Sequence, residues 1–170
     1  MSTGRIFVEG HGETKAVGNL VSRLWQDLGL GFLPWAEPVR VPSIAVERGV
    51  ARSLERVRGR GVAAALLLRD EDDGCPKTTA PPLAAYVASL GLEFPVAIVL
   101  LHREYETLFL PCVSMMAGLP LRDDSGQERP GLVAGASYAG EFEATRDVKG
   151  WLSRHFQPNK TYKPTLDQLP

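Results

Sequence analysis

Three short stretches carry the residue types that could do chemistry. The first is Glu9-Gly10-His11-Gly12-Glu13-Thr14, in which two carboxylates face each other across a glycine turn. The second is Asp70-Glu71-Asp72-Asp73, and the third is His102-Arg103-Glu104-Tyr105-Glu106. Carboxylates held on rigid backbone suit a hard divalent cation. Magnesium takes oxygen ligands in near-octahedral geometry and keeps several waters, so two or three acids suffice. Such a centre can generate a nucleophile from water, neutralise phosphate oxygens and stabilise a leaving group, as phosphodiester cleavage requires. On an extended backbone Asp70 and Asp72 point to one side, Glu71 points away, and Asp73 is a candidate outer ligand. The plainer alternative is a solvated acidic loop at 70–73, with Glu9 supporting a helix start.

The elements needed to position these acids are legible as periodicities. Residues 5–8 form a short apolar strand. From Glu13 to Leu28 the residues Val17, Leu20, Val21, Leu24 and Leu28 recur at helical spacing, and Gly29 and Gly31 close the helix. Residues 32–41 read as an extended but proline-broken edge strand. Ser43 is a candidate N-cap for a helix over 44–58. Val62–Leu68 is a continuous apolar run, as a central parallel strand requires. A helix is expected over 81–90, a second buried strand over 94–101, and a helix continuing to about 118. Glycines and prolines over 120–140 predict a surface loop, followed by a helix over 142–156 and a proline-rich tail. Strands alternating with helices predict an α/β fold, with a mostly parallel central sheet flanked by helices. Ligands in such sheets bind outside the carboxyl ends of the strands, which places Glu9, Asp70, Asp72 and residues 102–106 on one rim.

Composition narrows the function classes. The chain has 170 residues, 44% hydrophobic and 23% charged, in the range of a soluble globular domain. No apolar run reaches the roughly 18 residues that cross a bilayer, and the N-terminus lacks a secretory h-region. Cys75 and Cys112 fit neither a disulfide framework nor a zinc ribbon, so a reducing cytoplasm is expected. The net charge of −1 does not single out a nucleic-acid binder, although it can hide a segregated surface. His11, Cys75 and His102 are too scattered for zinc. Neither a nucleophile elbow, nor a dinucleotide fingerprint, nor a Walker A loop is present. Any ATP must therefore be bound by a partner.

The order Val8-Glu9-Gly10-x-x-Glu13, then an apolar strand ending in Asp70-x-Asp72, resembles a TOPRIM domain over roughly residues 5–110. This Rossmann-like domain serves nucleotidyl transfer and hydrolysis in topoisomerases, primases and OLD-type nucleases. More narrowly, three stretches resemble an uncharacterised bacterial TOPRIM-like family: Glu9-Gly10-x-x-Glu13-Thr14, Arg103-Glu104-Tyr105-Glu106-x-x-Phe109 and Tyr162-Lys163-Pro164-Thr165. Its members are often encoded beside an AAA/ABC-type ATPase, in settings resembling antiphage systems. The resemblance implies a catalytic core over 1–118, with a loop, helix and tail over 119–170 packed on the same domain. It implies that Glu9, Asp70 and Asp72 bind Mg²⁺ or Mn²⁺, with Glu9 also a general acid or base. Glu13 resembles the second acid of the OLD-like branch. One departure stands: the chain stops where members of the family continue into another helix.

The implied activity is a cytoplasmic, divalent-metal-dependent nuclease acting on DNA or RNA, and effector of an ATPase-coupled defence system. A non-catalytic module that docks on the ATPase is the alternative, and a nucleotidyl transferase would need a nucleotide pocket. Glu104 and Glu106 either complete the metal site or support the first turn of the following helix. His11 is a candidate phosphate contact. Lys163 either stabilises charge on a scissile phosphate or is a surface lysine. Arg48, Arg52 and Arg56 share one helix face, better read as solvated and balanced by Glu47 and Glu55 than as a phosphate track.

Overall fold

The computed structural model describes residues 2–122, 127–157 and 161–163. Its central sheet has four parallel strands in the order β2-β1-β3-β4: β1 (Thr3–Val8), β2 (Val39–Arg40), β3 (Val62–Asp70) and β4 (Val96–Leu101). The α/β expectation is met: the described residues hold α1 (Glu13–Asp27), α2 (Glu47–Glu55) and α3 (Pro76–Ser89) packed on the sheet, with α4 (Val113–Met116) and α5 (Val148–His155) packed about the 105–112 segment. A two-stranded antiparallel ribbon, β5 (Leu121–Arg122) with β6 (Glu128–Arg129), lies apart from it. Among the described residues no helix is long and apolar enough to cross a membrane.

Alternation along the strands divides the core between the two sheet faces. Phe7, Ala65 and Leu67 point to one face, where they pack with Val50 and Leu54 of α2 and Leu83 and Val87 of α3. Ile6, Val8 and Leu68 point to the other, beneath Val17 of α1 and Tyr105. Register fixes the rim: Val8 lies beside Leu68, and Asp70 lies beside Leu101. The third cluster, from Leu110 to Tyr162, begins inside the segment expected to belong to the core over 1–118, and Phe109 packs against both it and the α1 face.

Several elements differ from expectation, each for a physical reason. The helix expected over 44–58 divides into a 3-10 turn (Pro42–Ala45) and α2. Helix α3 begins five residues earlier than expected, with Pro76 at its first position, where a missing N–H costs nothing. Pro81 and Pro82 are inside it, so the Lys77 and Thr78 carbonyls lose their usual amide partners. Residues 105–112 form a 3-10 helix before the short α4, and only 148–155 of the expected 142–156 helix is α-helical, after a 3-10 turn over 142–144. Strand β4 is a sheet edge whose Ala97 and Val99 are exposed, where a buried strand was expected. The segment 120–140, expected as a surface loop, buries Leu121, Leu132 and Ala136 in the third cluster. Residues 123–126 and most of the proline-rich tail, Pro164 and Thr165 included, lie outside the described residues.

Strand β1 carries Glu9 and anchors α1, so its packing sets the position of the rim. Ile6 is completely buried, and Ile6→Ala is expected to destabilise the fold by about 2–5 kcal/mol, read as a lower denaturant midpoint at unchanged slope.

Candidate functional site

Glu9 follows the end of β1, and Asp70 is the last residue of β3. Both are therefore carried to the carboxyl edge of the sheet, as expected. The alternation that builds the core also separates them. Phe7 pairs with Leu67, so the next residues on that face are Glu9 and Arg69. Val8 pairs with Leu68, so Asp70 points to the α1 side.

Glu13 links the two sides. Its Oε2 accepts the backbone N–H groups of Glu9 and Gly10, each at 3.2 Å. The residue is 5% exposed and closes the turn between β1 and α1, giving two turn amides that precede the helix an acceptor. Gly10 makes room for it, because a Cβ there would stand 2.6 Å from Glu13 Oε1.

Around Asp70 the field is strongly negative. Tyr105 donates its backbone N–H to Asp70 Oδ1 at 2.9 Å. Burial pushes the Asp70 carboxyl up to about 7; repulsion from Glu13 and Glu106 adds to this, while Lys149 and the Tyr105 amide oppose it. Burial, with Glu106 and Glu13, likewise lifts the Tyr105 phenol to about 12. Burial raises Glu106 as well, against the pull of Lys149. Lys149 Nζ lies 2.9 Å from Glu104 Oε2 and 3.1 Å from Glu106 Oε2. Burial works against its charge, but the two glutamates outweigh burial and hold Lys149 above the ordinary lysine range.

Glu104 and Glu106 thus have structural work. Glu104 Oε1 accepts the Val148 N–H at 2.8 Å, so it supports the first turn of the distant α5 and not the helix that follows it in sequence. Glu106 is 2% exposed and also accepts from the Tyr162 hydroxyl at 3.4 Å.

On the other face, burial raises Glu9 above its ordinary value; Arg69 pulls it back, and Glu13, Asp72 and Glu71 reinforce the rise. Glu71, expected to point away, is buried. It accepts from Arg69 at 2.8 Å and from the Gly74 amide at 3.1 Å, and so closes the turn after β3. Asp72 is exposed beside this turn, with its carbonyl bonded by Arg103 at 2.7 Å. Arg40 bonds the Glu9 carbonyl at 3.2 Å, and its Nη1 is 2.9 Å from His11 Nε2.

The field of Glu13 and Glu106 reaches Asp70, and that of Glu13 and Asp72 reaches Glu9, while Glu9 and Asp70 lie on opposite faces of the sheet. Asp73 is turned outward in an ion pair with Arg146 at 2.6 Å, and Lys163 is exposed. Lys149, Arg69, Arg40 and Tyr105 are site residues that sequence reasoning missed. Among the described residues no three His, Cys, Asp or Glu side chains converge into a ready-made metal cage. Comparison with protein-family models, curated proteins and solved structures finds no match to this chain.

Asp70 binds its proton more tightly in the folded than in the unfolded chain. Its contribution to stability is therefore lost as pH rises from about 4 to about 7. Asp70→Asn retains an acceptor for the Tyr105 amide and removes the charge. It is expected to raise the unfolding free energy at pH 8 by up to about 4 kcal/mol, with little gain at pH 4, measured by urea unfolding at both pH values.

Proposed function

We propose that this chain is a TOPRIM-like, divalent-metal-dependent nuclease, and the effector of an ATPase-coupled antiphage system in the cytoplasm. The observation that carries the reading is the setting of Asp70. A carboxyl at the end of a central parallel strand is buried beside two further carboxyls and pushed up to about 7. Such an arrangement costs stability, and perturbed acids of this kind cluster at functional sites. The metal, the nucleic-acid substrate and the ATPase partner come from the family resemblance.

The donor chemistry fits Mg²⁺ or Mn²⁺: oxygen ligands only, and an excess of negative charge that a cation relieves. Asp70 is the residue that would hold it, on the α1 face with Glu13 near it; Glu9, with Asp72, stands on the opposite face of the sheet edge and would act on a proton rather than on the ion. When bound, the ion supplies charge neutralisation for phosphate oxygens and a more acidic water. The chain's own groups do the rest. The Tyr105 amide fixes one oxygen of Asp70, Glu13 fixes the backbone of the Glu9 turn, and Lys149 pairs with both Glu104 and Glu106, offsetting one of their two charges. Glu9, half-exposed and with its proton affinity raised above the ordinary carboxylate range by burial, is placed to take up or release a proton.

A second reading is a non-catalytic module docking on the ATPase. It is favoured by the large exposed apolar side chain of Met115, 75% exposed. Cleavage of plasmid, linear DNA and tRNA with Mg²⁺ or Mn²⁺, with and without the ATPase, separates the two. The nuclease reading expects cutting by the wild type and a loss of at least about 100-fold in Glu9→Gln and Asp70→Asn. Variants that cut like the wild type would sink the site assignment, and a wild type that binds the ATPase without cutting would favour the module.

A further inference from the structure

We infer that the exposed apolar face of α1 is a self-association surface, where a second copy of this chain packs antiparallel across a two-fold axis near Leu24. Helix α1 begins as a core helix and ends as something else. Val17 is fully buried, but Leu24 is 50% and Leu28 70% exposed, although both continue the same i, i+4 ridge from Leu20. Leu30 and Phe32 extend the apolar surface beyond the helix, with Phe32 92% exposed. Their backbone is tied down. Gly29 takes φ 63° to end the helix, the Leu30 amide bonds the Trp25 carbonyl at 3.2 Å, and Trp25 Nε1 bonds the Gly31 carbonyl at 2.6 Å. A contiguous apolar surface on such a backbone marks an interface.

Beside the ridge runs a groove of about 500 Å³ between α1 and the 105–116 segment, with Leu20, Leu24, Leu108, Phe109 and Met116 along it. A helix ridge fits such a groove. The edge charges select the occupant. Arg23 and Asp27 also line the groove, and neither makes an ion pair or hydrogen bond among the described residues. In an antiparallel pair of identical helices centred on Leu24, Leu20 of each copy meets Leu28 of the other. The same register brings Arg23 of each copy within a turn of Asp27 of its partner. One helix thus supplies both the apolar and the charged halves of a self-complementary contact, which is what an isologous interface requires. Leu24, Arg23 and Asp27 lie outside the acidic rim, although Tyr105, whose amide bonds Asp70, also lines the groove.

Light scattering and sedimentation velocity on the full chain over a micromolar concentration series test it. The expected mass is twice the chain's 18.5 kDa. Leu24→Glu is expected to give a monomer with unchanged circular dichroism, because the side chain it replaces is half-exposed. Arg23→Asp and Asp27→Arg are each expected to weaken the dimer about tenfold, and the double exchange to restore it. A wild type that stays monomeric throughout overturns the inference. So does a dimer indifferent to Leu24→Glu, or one that the charge exchange weakens without rescue.

Discussion

The cost of placing Asp70 among carboxylates is the constraint around which the rim is built. A charge withdrawn from water is expensive unless it is paired or hydrogen-bonded. Here the pairing is incomplete. The Tyr105 amide serves one oxygen of Asp70, and Lys149 answers Glu104 and Glu106 more directly than it answers Asp70. What remains is a site with more negative charge than its own cations balance.

The C-terminal segment supplies part of the compensation. Helix α5 brings Lys149 to the glutamates, and Glu104 in return receives the first amides of α5. Tyr162 adds a hydroxyl to Glu106. The third apolar cluster, from Leu110 to Tyr162, fixes α5 in place through Val148 and Leu152. Taking that segment away would leave two buried carboxylates without partners, which links the integrity of the acidic rim to a region far from it in sequence.

Much of the architecture was legible because it rests on local periodicity. The apolar runs 5–8 and 62–68, the α1 spacing and the acids at the strand ends identified the sheet and its acid-bearing carboxyl edge. The division of that edge between two faces was also implicit in the alternation, since Glu9 and Asp70 follow strands whose register sets opposite parity. What could not be read was pairing over long separations. Nothing near Lys149 announces Glu104 and Glu106, and nothing near Glu104 announces α5. Glu71 looked like one more acid in a run, but its use depends on Arg69 and Gly74 closing the turn. The 120–140 segment misled through its glycines and prolines, which hid the burial of Leu121 and Leu132. The exposed end of α1 misled in the opposite sense, because an amphipathic stripe shows that a face seeks cover without saying whether the same chain supplies it.

The proposed nuclease function requires the buried Asp70 carboxyl to take a divalent cation in exchange for its proton. Calorimetric titration with Mn²⁺ near pH 6.5, in two buffers of different ionisation enthalpy, tests it most directly. A carboxyl held at about 7 must surrender its proton to the metal, so binding should release about half a proton or more, and Asp70→Asn should abolish both binding and release. Mn²⁺ that does not bind, or binds without releasing protons, or binds the Asp70→Asn variant equally well, would contradict it.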